Sequence, residues 1–220
     1  MKSKTLALIH TSATLVPVFA ALCKEKLPGV ATFNIVDDSL VSGIRKKGSL
    51  TADIARRVAS YIQSAEAGGA DHILVTCSSI GPAVEAATPF CSVPVLRVDQ
   101  PMIDKAIQAG TRIGVIATLA TTLNPTTDLL LRRAAFAGKK IEHTARLVDG
   151  AFEALMSGDT AKHDSMVAAA LRELSTQVDV ILLAQASMAR VVDTLAPADR
   201  RVPIFASPPI AIEHLATILN

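Results

Sequence analysis

The sequence predicts an α/β protein of two pseudo-symmetric three-layer αβα lobes with parallel sheets and an active-site cleft between the lobes. Three observations carry that expectation: an aliphatic composition, an alternation of short apolar runs with helical stretches, and a pattern that the chain writes twice. The 220 residues are 50% hydrophobic and 19% charged, with six Phe, one Tyr and no Trp. The core must therefore be filled by Ala, Val, Leu and Ile, and disorder is excluded. A formal net charge of +2 and the scarcity of aromatics give little with which to hold phosphates or stack bases. Nucleic acid is not an expected partner.

The repeat sets the lobe count. Leu6-Ala-Leu-Ile-His-Thr-Ser-Ala-Thr14 returns as Ile113-Gly-Val-Ile-Ala-Thr-Leu-Ala-Thr121, so that Thr11, Ala13 and Thr14 fall on Thr118, Ala120 and Thr121 at an offset of 107. Asp71-His-Ile-Leu-Val-Thr-Cys77 matches Asp179-Val-Ile-Leu-Leu-Ala-Gln185 at 108, and Val93-Pro-Val-Leu96 matches Val202-Pro-Ile-Phe205 at 109. Ordered matches at a nearly constant offset are the signature of a duplicated unit. They also decide how the hydrophobic opening is read. Two lysines, an apolar stretch and Cys23 could suggest a secretory signal. A signal would have no reason to recur in mid-chain, so the segment is expected to be a buried first strand without membrane association.

The elements follow in order. Short runs at 5–10, 30–36, 72–76 and 93–97 show no polar alternation, as expected of parallel strands covered on both faces. Residues 50–67 read as a helix with Ile54, Val58, Ile62 and Ala65 on one apolar face, and Gly68-Gly69 as its C-terminal cap. Asp37-Asp38 reads as a solvated turn. The second copy gives strands near 112–117, 141–147, 179–184 and 203–206, with helices near 122–136 and 160–175. Residues 1–98 form the first lobe, joined by a C-terminal helix over 208–220, and 99–207 form the second.

In open parallel sheets ligands bind at the carboxyl ends of the strands. The candidates are therefore the polar residues just past them: His10 to Thr14, Thr76 to Ser79, Ala117 to Thr122, and Ala184 to Ser187. Cys77 precedes Ser78, Ser79 and a helix start marked by Pro82, where backbone N–H groups favour an anion and can lower a thiol's pKa. Thr11, Ser12, Ser78, Ser79, Thr118 and Thr121 supply neutral donors to a substrate, and no Lys or Arg lies in these loops. Cys23 and Cys91 read as packing residues. Three cysteines without a C-x-x-C pair fit a reducing, cytoplasmic compartment better than a disulfide framework. The five histidines have no metal-binding spacing, so no metal is expected. Only His10 falls in a site loop, where a structural and a ligand-touching role stay equally open.

The Thr76-Cys77-Ser78-Ser79 loop, the Gly114-Val-Ile-Ala-Thr118 loop before a Thr pair, and Val178-Asp-Val-Ile-Leu-Leu183 before a further loop resemble the aspartate/glutamate/hydantoin racemase superfamily along essentially the whole chain. The resemblance implies cofactor-independent catalysis by two cysteines, one per lobe, that remove and return a proton on opposite faces of an acidic carbon. It also implies a homo-oligomer, most simply a dimer. Cys77 matches the first-lobe cysteine; its partner position holds Gln185, with Ala186 beside it, and a carboxamide cannot shuttle a proton as a thiol does. The departure points away from a symmetric two-base racemase. The leading expectation is a single-cysteine enzyme acting by thiol-mediated proton transfer on a small carboxylate or hydantoin-like acid. A one-cysteine decarboxylase of malonate-type acids, an isomerase with a non-thiol second acid, and a non-catalytic small-acid binding protein remain as alternatives.

Overall fold

The structure, a computed structural model, describes residues 3–219. Residues 1, 2 and 220, the outermost positions of the first-lobe assignment, lie outside the described residues. The chain divides into two compact units, Met1–Asp99 with Pro208–Asn220, and Gln100–Ser207.

The first unit runs β1 (Thr5–His10), α1 (Leu15–Lys26), β2 (Ala31–Val36), α2 (Ser39–Lys47), α3 (Ala52–Ala67), β3 (His72–Val75), α4 (Gly81–Ala87) and β4 (Val95–Arg97). Its four parallel strands are ordered β2-β1-β3-β4. Period-two alternation sorts the central strands onto two faces. Ala7, Ile9, Ile73 and Val75 join Leu40, Ile44, Ile54, Val58 and Ile62 from α2 and α3. On the other face Leu6, Leu8 and Leu74 pack with Phe19 and Cys23 of α1. Burial there pushes the Cys23 thiol up to about 11, in keeping with a packing role.

The second unit runs α5 (Gln100–Ala109), β5 (Arg112–Ala117), α6 (Ala120–Phe136), β6 (Glu142–Leu147), α7 (Ala151–Met156), α8 (Thr160–Leu174), β7 (Val180–Leu183), α9 (Ala189–Thr194) and β8 (Ile204–Ala206). Its sheet is again parallel and ordered β6-β5-β7-β8. Ile116, Ile181 and Leu183 pack with Val167, Leu171 and Leu174 of α8 and Val191 of α9. The final helix, α10 (Ser207–Leu219), returns to the first unit, where Ala211, Ile212, Leu215 and Leu219 complete the core over Leu6 and Leu8. Among the described residues no helix is long and apolar enough to cross a membrane.

The repeat in the sequence is a repeat in register. Leu6 pairs with His72, and Ile113 with Val180, so the repeated strand positions occupy the same ladder positions. The repeated aspartate has a physical task in both copies. Asp71 accepts the backbone N–H of Thr5 at 2.7 Å, and Asp179 that of Arg112 at 2.8 Å. Each carboxylate satisfies the leading donor of a central strand that its parallel neighbour leaves open.

Two expectations need correction. Strands β2 and β6 are not covered on both faces: β2 alternates between exposed and half-buried, and β6 is exposed from Glu142 to Arg146. Both lie at sheet edges with a neighbour on one side only, and their Thr, Asn, Glu and Arg side chains tolerate water. Asp37 is not a solvated turn residue either. It receives bonds from the hydroxyls of Ser39 and Tyr61 and from Arg57, and leads directly into α2. Burial alone would raise its pKa, yet these donors bring it below the usual carboxylate value. Helix α2 itself escapes a propensity reading because it contains Gly43. A methyl there would stand 3.1 Å from Ile54 Cδ1, so the glycine lets α2 lie close to α3.

Candidate active site

In the first unit β1 and β3 are adjacent, with Ile9 opposite Val75, so their carboxyl ends place His10 and Thr11 beside Thr76 and Cys77. Thr11, Ser78 and Ser79 are buried, while Ser12 and Cys77 are half-buried. Cys77 has extended backbone angles (φ −132°, ψ 117°) and opens a single 3-10 turn over Ser78–Ile80, which leads into α4 at Gly81 with Pro82 in its first turn. The strand therefore ends in an abrupt turn that leaves the thiol of Cys77 partly open to solvent.

His10 closes β1. It is 0% exposed, and both ring nitrogens are engaged: Nδ1 with the Thr76 hydroxyl at 2.9 Å, Nε2 with Asn34 Oδ1 at 2.9 Å. Nε2–H donates to Asn34 Oδ1, and the Thr76 hydroxyl that meets Nδ1 also reaches the carbonyl of Ile9 at 3.1 Å. Burial lowers its pKa, only partly opposed by the bond to Asn34. The open question at His10 closes on the structural side, since this histidine ties β1 to β2 and β3.

In the second unit the equivalent strands β5 and β7 bring Thr118 beside Gln185, with Ile116 opposite Leu183. Gln185 has φ −132° and ψ 136° and opens a 3-10 turn over Ala186–Met188, the same local geometry as Cys77. Position 185 is therefore the structural counterpart of position 77. The Gln185 carboxamide is fixed in one orientation, because its Oε1 accepts both the backbone N–H of Thr118 and the Thr118 hydroxyl, the latter at 3.0 Å. Its amino group is the part left to meet a ligand, so this side chain presents donors. Thr121 sits in the first turn of α6, and its hydroxyl is buried without a hydrogen-bond partner. Ala186 is half-buried at the start of the turn.

The structure thus gathers the sequence candidates into two groups, Thr11, Ser12, Cys77, Ser78 and Ser79 in one unit, and Thr118, Thr121, Gln185 and Ala186 in the other. Sequence reading missed the charged residues in the neighbourhood of these turns. Arg97 reaches Asp99 and Glu85 behind the Cys77 turn. Arg190 on α9 bonds Asp164 on α8 at 2.7 Å, and Asp164 also pairs with Nδ1 of the fully buried His163 at 2.6 Å. An arginine at a strand end gives no sequence signal beyond its type; the small residue Ala206 at the mirrored position is the one clue available. Among the described residues no group of three or more His, Cys, Asp or Glu is arranged to hold a metal ion.

A family model described as Asp/Glu/Hydantoin racemase matches residues 7–215. No curated protein matches the sequence. Among solved structures, the chain is similar to an allantoin racemase from Klebsiella pneumoniae, with 19% identity over 99% of this chain and 88% of that one and a TM-score of 0.70. A glutamate racemase from Bacillus anthracis gives 18% identity over 100% and 82% of the two chains at a TM-score of 0.71. An aspartate racemase from Picrophilus torridus gives 12% over 98% and 95% at 0.73. At these identities the likeness establishes the two-sheet α/β fold.

Proposed function

We propose that this chain, which belongs to the Asp/Glu/hydantoin racemase family of enzymes, moves a proton at the α-carbon of a small carboxylic or hydantoin-like acid with one thiol, that of Cys77, and without a cofactor. The observation that carries the reading is the contrast at two equivalent positions. Cys77 and Gln185 share their backbone geometry and their place before a 3-10 turn, but one is a proton-transfer group and the other a carboxamide held by Thr118.

The chemistry needs little else. The Cys77 thiolate takes the α-proton, the C–H electron pair becomes the carbon–carbon double bond of an enediolate, and the negative charge moves onto the acid's oxygens. Donors already in place stabilise that charge at small reorganisation cost. Ser78, Ser79 and Thr11, in the same unit as Cys77, supply hydroxyls. The protonated thiol exchanges its proton with solvent and then delivers one to the same face of the carbon, and the thiolate is restored. Gln185 can neither give nor take a proton at neutral pH, so the exchange proceeds on one face. With a malonate-type acid the same donors would hold the enediolate left after CO₂ departs, and Cys77 would supply the proton.

The test is incubation with amino acids, hydantoins and substituted malonates in D₂O. Deuterium is expected at the α-carbon of one class with retained configuration, and Cys77→Ala should abolish it. Release of CO₂ would assign decarboxylation, still through Cys77. Gln185→Cys should convert exchange into racemisation of the same substrate. Exchange that survives in Cys77→Ala, or binding of acids with no exchange in any class, would sink the reading.

A further inference from the structure

A charge cluster stands behind the Cys77 turn and nowhere in the proton-transfer chemistry above. Arg97, at the carboxyl end of β4, is 3% exposed. Its guanidinium grips Asp99, which is 0% exposed, through Nε at 3.0 Å and Nη2 at 2.7 Å, and reaches Glu85 on α4 through Nη1 at 2.8 Å. The same guanidinium lies against the backbone of Gly81, where the turn from Cys77 enters α4. A methyl at Gly81 would stand 2.2 Å from Arg97 Cζ, so only glycine admits the group. Burial opposes the charge on Arg97, but Asp99 and Glu85 outweigh it and raise the pKa further. Burying one cation between two carboxylates seldom adds net stability, so the cluster calls for another explanation.

The duplicated fold supplies a control. Strand pairing sets Arg97 opposite Val75 in the first unit and Ala206 opposite Leu183 in the second, so Ala206 stands where Arg97 does. Ala189 stands where Gly81 does, each ending the 3-10 turn. The second unit builds the same strand, turn and helix without the arginine and without the glycine. What distinguishes the first unit is the thiol.

We infer that Arg97 is a positioning residue for Cys77: anchored on Asp99 and Glu85, its guanidinium braces the turn over Ser78–Gly81 and holds the thiol where the strand ends. The inference rests on the reading of Cys77 as the working thiol, and its test uses no substrate. Arg97→Lys keeps the charge and loses the planar fork; Gly81→Ala keeps the fork and displaces it by a methyl. Both are compared with the unaltered protein by site-resolved iodoacetamide labelling of Cys77 and Cys91 across pH, and by amide hydrogen exchange over residues 76–87 and 184–195. The expected result is a Cys77 labelling plateau raised about fivefold or more over that of Cys91, with faster exchange confined to 76–87. Arg97→Lys, which keeps the charge, should depart from the original profile as Gly81→Ala does. If Cys77 and Cys91 change together, in step with the thermal midpoint, or if 76–87 exchanges as before, Arg97 is merely structural. A Cys77 that never labels in the unaltered protein would overturn the thiol chemistry instead, and the exchange of 76–87 would still decide the brace.

Discussion

Single residues fix the chemistry of this protein, and the most telling is a carboxamide. Gln185 stands at the position of Cys77 but has its oxygen tied to Thr118, so the second unit presents a hydrogen-bond donor where the family resemblance implies a thiol. His10 shows the reverse relation between position and role. It lies in a site loop, yet its ring is consumed by Thr76 and Asn34, and a histidine held neutral by burial carries a pH signature. Its pKa in the folded state lies below the unfolded value of 6.5. As pH falls below that value the unfolded chain takes up a proton that the folded chain refuses, so stability declines with falling pH until the folded group titrates too. His72 is lowered in the same sense by burial and by Lys4. The urea midpoint is therefore expected to drop between about pH 8 and pH 5, and His10→Gln should flatten that slope in part. A midpoint unchanged over this range would refute the assignment of a buried neutral ring.

At the scale of elements, close approach explains several residues that spacing alone leaves unexplained. Gly114 lies in the middle of β5, where a glycine weakens a strand. A methyl there would stand 2.8 Å from Leu174 Cδ2 and 3.3 Å from Val178 Cγ2, so the glycine lets α8 settle onto the sheet. Gly114→Ala should cost about 1–3 kcal/mol by overpacking, measured as a fall in the denaturation midpoint with the slope unchanged. A neutral effect would mean that Leu174 has room to turn aside. The strands and the long helices were legible because burial on two faces imposes continuous apolar runs, as in Leu6 to Ile9 and Val180 to Leu183. Helix α2 was not legible at this level, and strand β6 was legible as a strand but not in its exposure. Gly43 hides the first behind a low propensity, and position at a sheet edge lets the second carry Glu142, His143 and Arg146.

For the whole molecule, the last helix makes the first unit discontinuous in sequence. Ala211, Ile212, Leu215 and Leu219 lie on Leu6, Leu8 and Phe19, about 200 residues away along the chain. Ending the chain after Ser207 would strip that face to water. Amide protection of Leu6 to Ile9 and of Ile73 to Val75 should then collapse, while Ile113 to Ala117 keeps most of its protection. Equal loss in both sheets would show that the units do not hold their stability separately.

The sequence by itself determined the duplication, the parallel sheets and the strand ends, because apolar periodicity and a constant offset are properties of order along the chain. It also determined that Cys77 has a glutamine at its mirrored position. Only the tertiary structure decided what those residues can do. Whether Gln185 presents its oxygen or its nitrogen depends on Thr118, 67 residues away, and whether His10 can titrate depends on Asn34 and Thr76. The charge behind the thiol depends on Arg97 meeting Gly81 and Glu85. Hydrogen bonds and ion pairs act over a few ångströms in space, and distances of that kind exist only once the strands have been laid side by side.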